Sequence, residues 1–189
     1  MRKRLFFLSL VLCLLLSACS KAPSQMQDAL DFRSALLTAG GCGFTANVAV
    51  NYGETAAKFT LACEYDVETG AHLRVTAPDT IAGIEATVSG ENAVITFDGA
   101  QLALGDLAGG ELAPLSAPLI VGRCWAEGYI DAAGKEDAYL RVTYLDGYGD
   151  RELTVDTWFL AESGWPVRAE IASNGETLLK LELTNFTMD

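Results

Sequence analysis

The residues of this chain best suited to chemistry are its five cysteines and its single histidine, His72. A lone histidine cannot build a multi-histidine metal site, and no Gly-x-Ser-x-Gly sequence offers it a serine to activate. The cysteines show no Cys-x-x-Cys spacing, and the Gly40–Gly43 cluster lacks the Lys-Ser/Thr pair of a phosphate-binding loop. We therefore predict a protein that is not an enzyme and that needs no cofactor or metal.

Cys19 is the cysteine with the most specific sequence context. It ends an apolar run, residues 5–18, that follows Arg2, Lys3 and Arg4, which is the layout of a secretory signal peptide. The run is shorter than the roughly 20 apolar residues that a spanning helix needs. Leu16-Ser17-Ala18-Cys19 resembles the bacterial lipobox, which implies cleavage before Cys19 and attachment of a diacylglycerol, with acyl chains such as palmitate, to its thiol. The alternative is an ordinary signal peptide with an incidental cysteine.

The lipobox resemblance divides the chain into a signal peptide (1–18), a lipidated cysteine with a short tether (19–24) and a single domain (25–189). It predicts export and anchoring to a bacterial membrane, on the outer face of the cell membrane or on the periplasmic side. After removal of residues 1–18, 10 basic residues face 25 acidic ones, a net charge of −15. Because this charge repels phosphate groups, we expect no nucleic-acid partner, and the membrane should be contacted through the anchor.

Three cysteines remain within the predicted domain. The export signal implies a compartment where disulfides form. If Cys42 and Cys63 face each other across the first hairpin, with the turn centred between Tyr52 and Gly53, their Cβ atoms come within disulfide range. Cys124 would then be free. The alternative is that Cys42 and Cys63 are reduced, buried thiols that pack as small hydrophobic groups.

Hydrophobic periodicity places these residues on two helices and about nine strands. Apolar residues at helical spacing predict a helix over residues 25–39, and Ser116 followed by Pro118 predicts a second helix that stops at Gly128. From residue 43 the period changes to two, which predicts antiparallel strands with one apolar face. In the last hairpin, a three-residue loop, Ser173–Gly175, would set Leu179 opposite Ala169. The fold class is mainly β (α+β).

Several longer stretches resemble one known family. They are Ala77-Pro78-Asp79-Thr80-Ile81-Ala82-Gly83-Ile84, Val-Ile-Thr-Phe-Asp-Gly at 94–99, Trp165-Pro166-Val167-Arg168-Ala169-Glu170-Ile171 and Leu181-Glu182-Leu183-Thr184-Asn185-Phe186. With the order of the elements, they resemble the lipoprotein-carrier (LolA/LolB/LppX-like) superfamily and its lipid-anchored bacterial members. The resemblance implies a curved antiparallel half-barrel closed by an N-terminal and a mid-chain helix around an apolar cavity.

Two functions remain open on this sequence. In the first, a membrane-anchored lipoprotein binds or carries a lipid or acyl chain in its cavity. The expected lining is Phe44, Val48, Phe59, Leu61, Val75, Phe97, Leu119 and Trp125. In the second, the cavity is collapsed, and the lipoprotein acts through a protein partner in the cell envelope or spore. Trp158 has the parity of the polar face, where it could contact a partner or lie under a neighbouring loop. His72 shares a parity with Arg74, and we expect it to face solvent.

Overall fold

The computed structural model describes residues 24–52, 55–89, 92–97, 100–104, 114–149 and 152–188. The predictions made for the signal peptide and for Cys19 therefore lie outside the described residues. No helix within the described ranges is long and apolar enough to cross a membrane.

Eleven strands and two α-helices form the described part of the chain. In order they are α1 (Ser24–Ala39), β1 (Gly41–Tyr52), β2 (Thr55–Asp66), β3 (Gly70–Ala77), β4 (Glu85–Ser89), β5 (Asn92–Phe97), β6 (Ala100–Leu104), a 3-10 turn (Pro114–Ser116), α2 (Ala117–Glu127), β7 (Tyr129–Glu136), β8 (Tyr139–Asp146), β9 (Leu153–Leu160), β10 (Pro166–Ser173) and β11 (Glu176–Thr187).

All eleven strands belong to one antiparallel sheet, in the order β6-β5-β4-β3-β2-β1-β11-β10-β9-β8-β7. Strands that follow one another in the chain are paired, except β6 and β7, and the last strand, β11, pairs with β1 as well as with β10. The edge strands β6 and β7 do not pair, so the sheet is a half-barrel and not a closed barrel. Because the segment between them contains α2, the chain crosses the open side of the sheet with a helix.

The two helices begin and end where local signals predict. The backbone N–H of Gly40 donates to the carbonyl of Leu36 at 3.0 Å, and the φ of +78° at Gly40 is one that glycine adopts without strain. Ser116 is the N-cap of α2, and Gly128 closes it by donating to the carbonyls of Arg123 and Cys124. The bounds confirm the predictions of helices at 25–39 and after Ser116.

The first hairpin differs from its predicted register by two residues. Tyr52 pairs with Thr55, Phe44 with Cys63, and Cys42 with Tyr65. Shifting the partner strand by two residues keeps every side chain on the same face. Both registers bury the same apolar side chains, so the alternation of apolar and polar residues does not distinguish them.

The last hairpin also differs from its prediction. Its loop has two residues, Asn174 and Gly175, both with positive φ as a primed turn requires, and Ser173 pairs with Glu176. A register shift between Ile171 and Ala172 then sets Leu179 opposite Ile171 and Leu181 opposite Ala169. The predicted three-residue loop is wrong, but the bulge restores the parity that keeps the leucines on the apolar face.

One hydrophobic core lies between the concave face of the sheet and the two helices. The α1 helix contributes Ala29, Phe32 and Leu36. The α2 helix is buried on nearly every side and packs against β2, β3 and β8, as well as against α1. Since α2 lies inside the curve of the sheet, it occupies the place where a half-barrel would otherwise hold a ligand.

Candidate functional site

The residues predicted to line a cavity lie on the strands and, for Leu119 and Trp125, on α2, and most of them are packed into the core. Six of the eight are buried: Phe44, Val48, Leu61, Val75, Leu119 and Trp125. Phe59 is partly buried against the same core. Phe97 ends β5 opposite Ala100, and its side chain lies outside the described residues. The strand residues of this set therefore lie on the inner face of the sheet. That face packs against α2 and the other side chains of the core.

Trp125 fills the centre of this interior. Its side chain is 0% exposed and meets the rings of Phe32, Phe44 and Phe186 edge-on, with centroid separations of 5.9, 5.6 and 6.0 Å. The indole Nε1–H donates to the hydroxyl of Thr157, also 0% exposed, at 3.0 Å. A buried tryptophan usually has a hydrogen-bond partner for this N–H, and here the partner is a residue of β9. The hydrogen bond fixes α2 against the sheet.

Arg33 joins α1 to the end of α2. Its guanidinium donates to the carbonyls of Trp125 at 2.9 Å, Cys124 at 3.2 Å and Gly128 at 2.6 Å. These carbonyls lie at the C-terminus of α2, where positive charge is favoured, and that of Cys124 also accepts from the backbone N–H of Gly128. One side chain of α1 therefore caps the helix that fills the half-barrel.

The described structure contradicts the predicted Cys42–Cys63 disulfide. With Cys42 opposite Tyr65 and Cys63 opposite Phe44, the two thiols are diagonal neighbours, which lie about 7–8 Å apart between backbones and so beyond ordinary disulfide range. Cys42, Cys63 and Cys124 are all free and buried. Burial raises the pKa of Cys42 and of Cys63 to about 12 and also raises that of Cys124. These thiols pack as small hydrophobic groups.

Trp158 lies on the outer face of the sheet, as its parity predicts, yet only 5% of it is exposed. The guanidinium of Arg168 lies 3.6 Å from the centre of its ring and that of Arg141 lies 5.2 Å away. The guanidinium of Arg141 donates to the carboxylate of Asp156 at 2.7 Å. The same carboxylate accepts a hydrogen bond from the hydroxyl of Thr143 at 2.6 Å. Side chains of the neighbouring strands cover the ring, and its indole N–H has no hydrogen-bond partner among the described residues.

A cleft of about 610 Å³ lies between α1 and the strands β7 to β9, and we call it the aromatic cleft. Phe32, Leu140 and Phe159 form its apolar floor, with the rings of Phe32 and Phe159 4.6 Å apart. Trp165 and Met188 stand at one side, and Trp165 is 46% exposed. The rim is polar and includes Asp28, Asp31 and Lys135. Sequence reasoning missed this cleft, because its walls come from three distant parts of the chain.

Among solved structures, a LolA superfamily protein from Nitrosomonas europaea aligns with 89% of this chain and 94% of its own, at 6% identity and a TM-score of 0.53. The fold is that of the LolA superfamily. The lipoprotein LppX of Mycobacterium tuberculosis covers 88% of this chain and 97% of its own at 12% identity, and the GerS lipoprotein complex with the CwlD amidase of Clostridioides difficile gives a match covering 90% and 99% at 12% identity. Their TM-scores of 0.43 and 0.46 add nothing to the assignment. No protein-family model and no curated protein sequence matches the chain.

In the part of the chain that the structure describes, the single histidine of this LolA-like half-barrel lies apart from the buried cysteines. His72 lies on the outer face with its side chain 48% exposed, 4.0 Å from the carboxylate of Glu85. The described residues hold no group of three or more His, Cys, Asp or Glu side chains that could bind a metal ion. The concave surface described above, the aromatic cleft, combines an apolar floor with a polar rim.

Proposed function

We propose that this protein is a non-enzymatic lipoprotein of the bacterial envelope that is anchored through Cys19 and holds an acyl chain in the aromatic cleft. The observation that carries the proposal is the cleft itself. Its 610 Å³ falls within the range of small-molecule sites, and its floor of Phe32, Leu140 and Phe159 is the apolar surface that an acyl chain needs. Each acyl CH₂ removed from water there contributes about 0.8 kcal/mol.

The position of the cleft also suits this role. Ser24 and Gln25 line it, only five residues after Cys19. A tether of five residues spans at most roughly 18 Å when fully extended. Lipidation of Cys19 would thus hold the cleft beside the bilayer from which an acyl chain would come. Trp165 at the rim has the amphipathic ring that favours such an interface.

Mass spectrometry of lipid co-purified with residues 20–189 tests the acyl-chain proposal. Ala35 is exposed on α1 and lines the cleft, so Ala35→Trp should fill the cleft and abolish both co-purifying lipid and uptake of a fluorescent fatty acid. Ser34→Trp places the same bulk on the neighbouring exposed position, outside the lining, and should leave uptake unchanged. Absence of lipid and of uptake in the parent protein would refute the proposal.

Membrane fractionation of a Cys19→Ala variant tests the anchor separately. The variant should leave the membrane fraction and should not incorporate labelled palmitate, because the lipobox motif has no other thiol to which the diacylglycerol could be attached. A variant that still fractionates with the membrane and takes up palmitate would show that the anchor is not at Cys19.

The second candidate is a lipoprotein that acts through a protein partner, with its interior collapsed. The filled interior around Trp125 favours it, because six residues of the predicted lining already bury one another. The two candidates use different surfaces of the molecule. Fatty-acid uptake therefore tests the first without bearing on the second.

A further inference from the structure

A second concave surface lies on the opposite side of α1 from the aromatic cleft. Its volume is about 820 Å³, and its apolar lining is Met26, Leu30, Tyr129, Ile130, Leu145 and Tyr148. We call it the tyrosine groove. Met26, Leu30 and Arg33 are spaced by four and three residues, so they share one face of α1. Asp28, Phe32 and Ala35, which line the aromatic cleft, have the same spacing and share the opposite face.

The tyrosine groove exposes large apolar side chains. Leu30 is 40% exposed, Tyr129 is 68% exposed and Tyr148 is 94% exposed. Single exposed apolar residues are ordinary, but three around one concavity form a patch of the kind that marks an interaction site. Tyrosine is also enriched in protein interfaces, where its ring supplies contact area at a small cost in conformational entropy.

The charges around the groove indicate what it would bind. Its two arginines are engaged within the protein, since Arg33 caps α2 and Arg123 forms an ion pair with Asp146. Glu127 and Glu152 are exposed, and neither lies within ion-pair distance of a basic group among the described residues. The groove therefore presents tyrosine rings beside two exposed carboxylates. Lysine and arginine side chains can use both, through cation–π contacts and through ion pairs.

From this combination we infer that the tyrosine groove binds a segment of a partner protein that carries aliphatic side chains flanked by Lys or Arg. The aliphatic groups lie on Leu30 and its neighbours, and the basic groups reach Glu127, Glu152 and the two tyrosine rings. This assignment does not depend on lipid in the aromatic cleft, which is lined by the other face of α1.

Photo-cross-linking of the full anchored chain in its native cells tests the inference. A benzoylphenylalanine at position 148 should form a covalent adduct with a protein, and the same group at the exposed position 72, on the outer face of the sheet, should not. The peptide attached at position 148, identified by mass spectrometry, should contain two or more basic residues. Glu127→Lys combined with Glu152→Lys should abolish the adduct. Replacing the Lys or Arg residues of the captured peptide with Glu should restore the adduct with this double variant.

The α1 helix offers a matched pair of control variants. Leu30 and Leu37 are exposed to similar degrees, 40% and 47%, but only Leu30 lines the groove. Leu30→Ser should reduce the adduct about tenfold, as loss of an apolar contact worth about 1.4 kcal/mol would, and Leu37→Ser should leave it within about twofold. Equal effects of the two substitutions would overturn the inference. So would no adduct above that at position 72, or an adduct with a phospholipid, with this same chain or with a peptide that lacks basic residues.

Discussion

Replacing Thr157 with valine removes the one acceptor that the structure gives to the indole N–H of Trp125. The two residues are both 0% exposed, and their hydrogen bond is 3.0 Å long. Valine has nearly the shape of threonine, so the substitution leaves no large cavity. Its cost is the burial of an unsatisfied donor, which is about 1–3 kcal/mol. For a domain of this size, that corresponds to a fall in Tm of about 2–12 °C.

Urea unfolding followed by far-UV circular dichroism, in the presence of a reductant, measures this cost without depending on tryptophan fluorescence. Thr184→Val on the exposed side of β11 is the control, and it should change the free energy of unfolding by less than about 0.5 kcal/mol. In the double variant with Trp125→Phe, the indole donor is gone. Thr157→Val should then cost less than it does alone, which gives a coupling of about 1 kcal/mol.

The result also bears on the interior of the half-barrel. If Thr157→Val has the same stability as the parent protein to within about 0.5 kcal/mol, another group satisfies the indole N–H. A single buried water could be that group, because closed protein interiors hold such waters beside polar atoms. That outcome would refute the argument that the hydrogen bond to Thr157 fixes α2 against the sheet.

Three further predictions concern groups that hold the interior together. Arg33→Met should destabilise the protein by about 2–3 kcal/mol in urea unfolding, since three carbonyls at the end of α2 lose a charged donor, and Arg33→Lys should recover only part of this. Gly122→Ala should cost about 1–3 kcal/mol, because a Cβ there would lie 2.6 Å from the ring of Tyr65; an unchanged Tm would contradict this packing. Burial raises the pKa of the Cys63 thiol from 9.0 to about 12, so between those pH values the thiol ionises in the unfolded state but not in the folded state. The free energy of unfolding should therefore fall over pH 9–12, and it should fall less steeply in Cys63→Ala.

The helices and the inner face of the sheet were predictable because their signals are local. Gly40 ends α1, and Ser116 with Pro118 begins α2, by conformational preferences that act over a few residues. The alternation of apolar and polar residues likewise identified the face on which Phe44 and Leu61 lie. These properties do not depend on where distant elements pack.

The register of the sheet was less predictable, since it depends on how a loop closes. In the first hairpin, the pairing of Tyr52 with Thr55 and the predicted alternative bury the same side chains. Hydrophobic burial therefore gives no preference, and the difference decides whether Cys42 can reach Cys63. In the last hairpin, a bulge after Ile171 corrects the parity of a two-residue loop, which the alternation pattern alone does not reveal.

Whether the inner face lines a cavity or a filled core is decided by where α2 lies, which no local pattern gives. The same apolar residues serve either purpose, because an acyl chain and an indole ring both remove them from water. The hydrogen bond from Trp125 to Thr157 and the cap that Arg33 places on α2 are both long-range polar contacts, and each is satisfied only when the helix is seated inside the sheet. Moving α2 outward would break the hydrogen bond between Trp125 and Thr157 and would take the guanidinium of Arg33 away from three carbonyls. That cost, added to the loss of the aromatic contacts around Trp125, favours the filled interior over an open cavity.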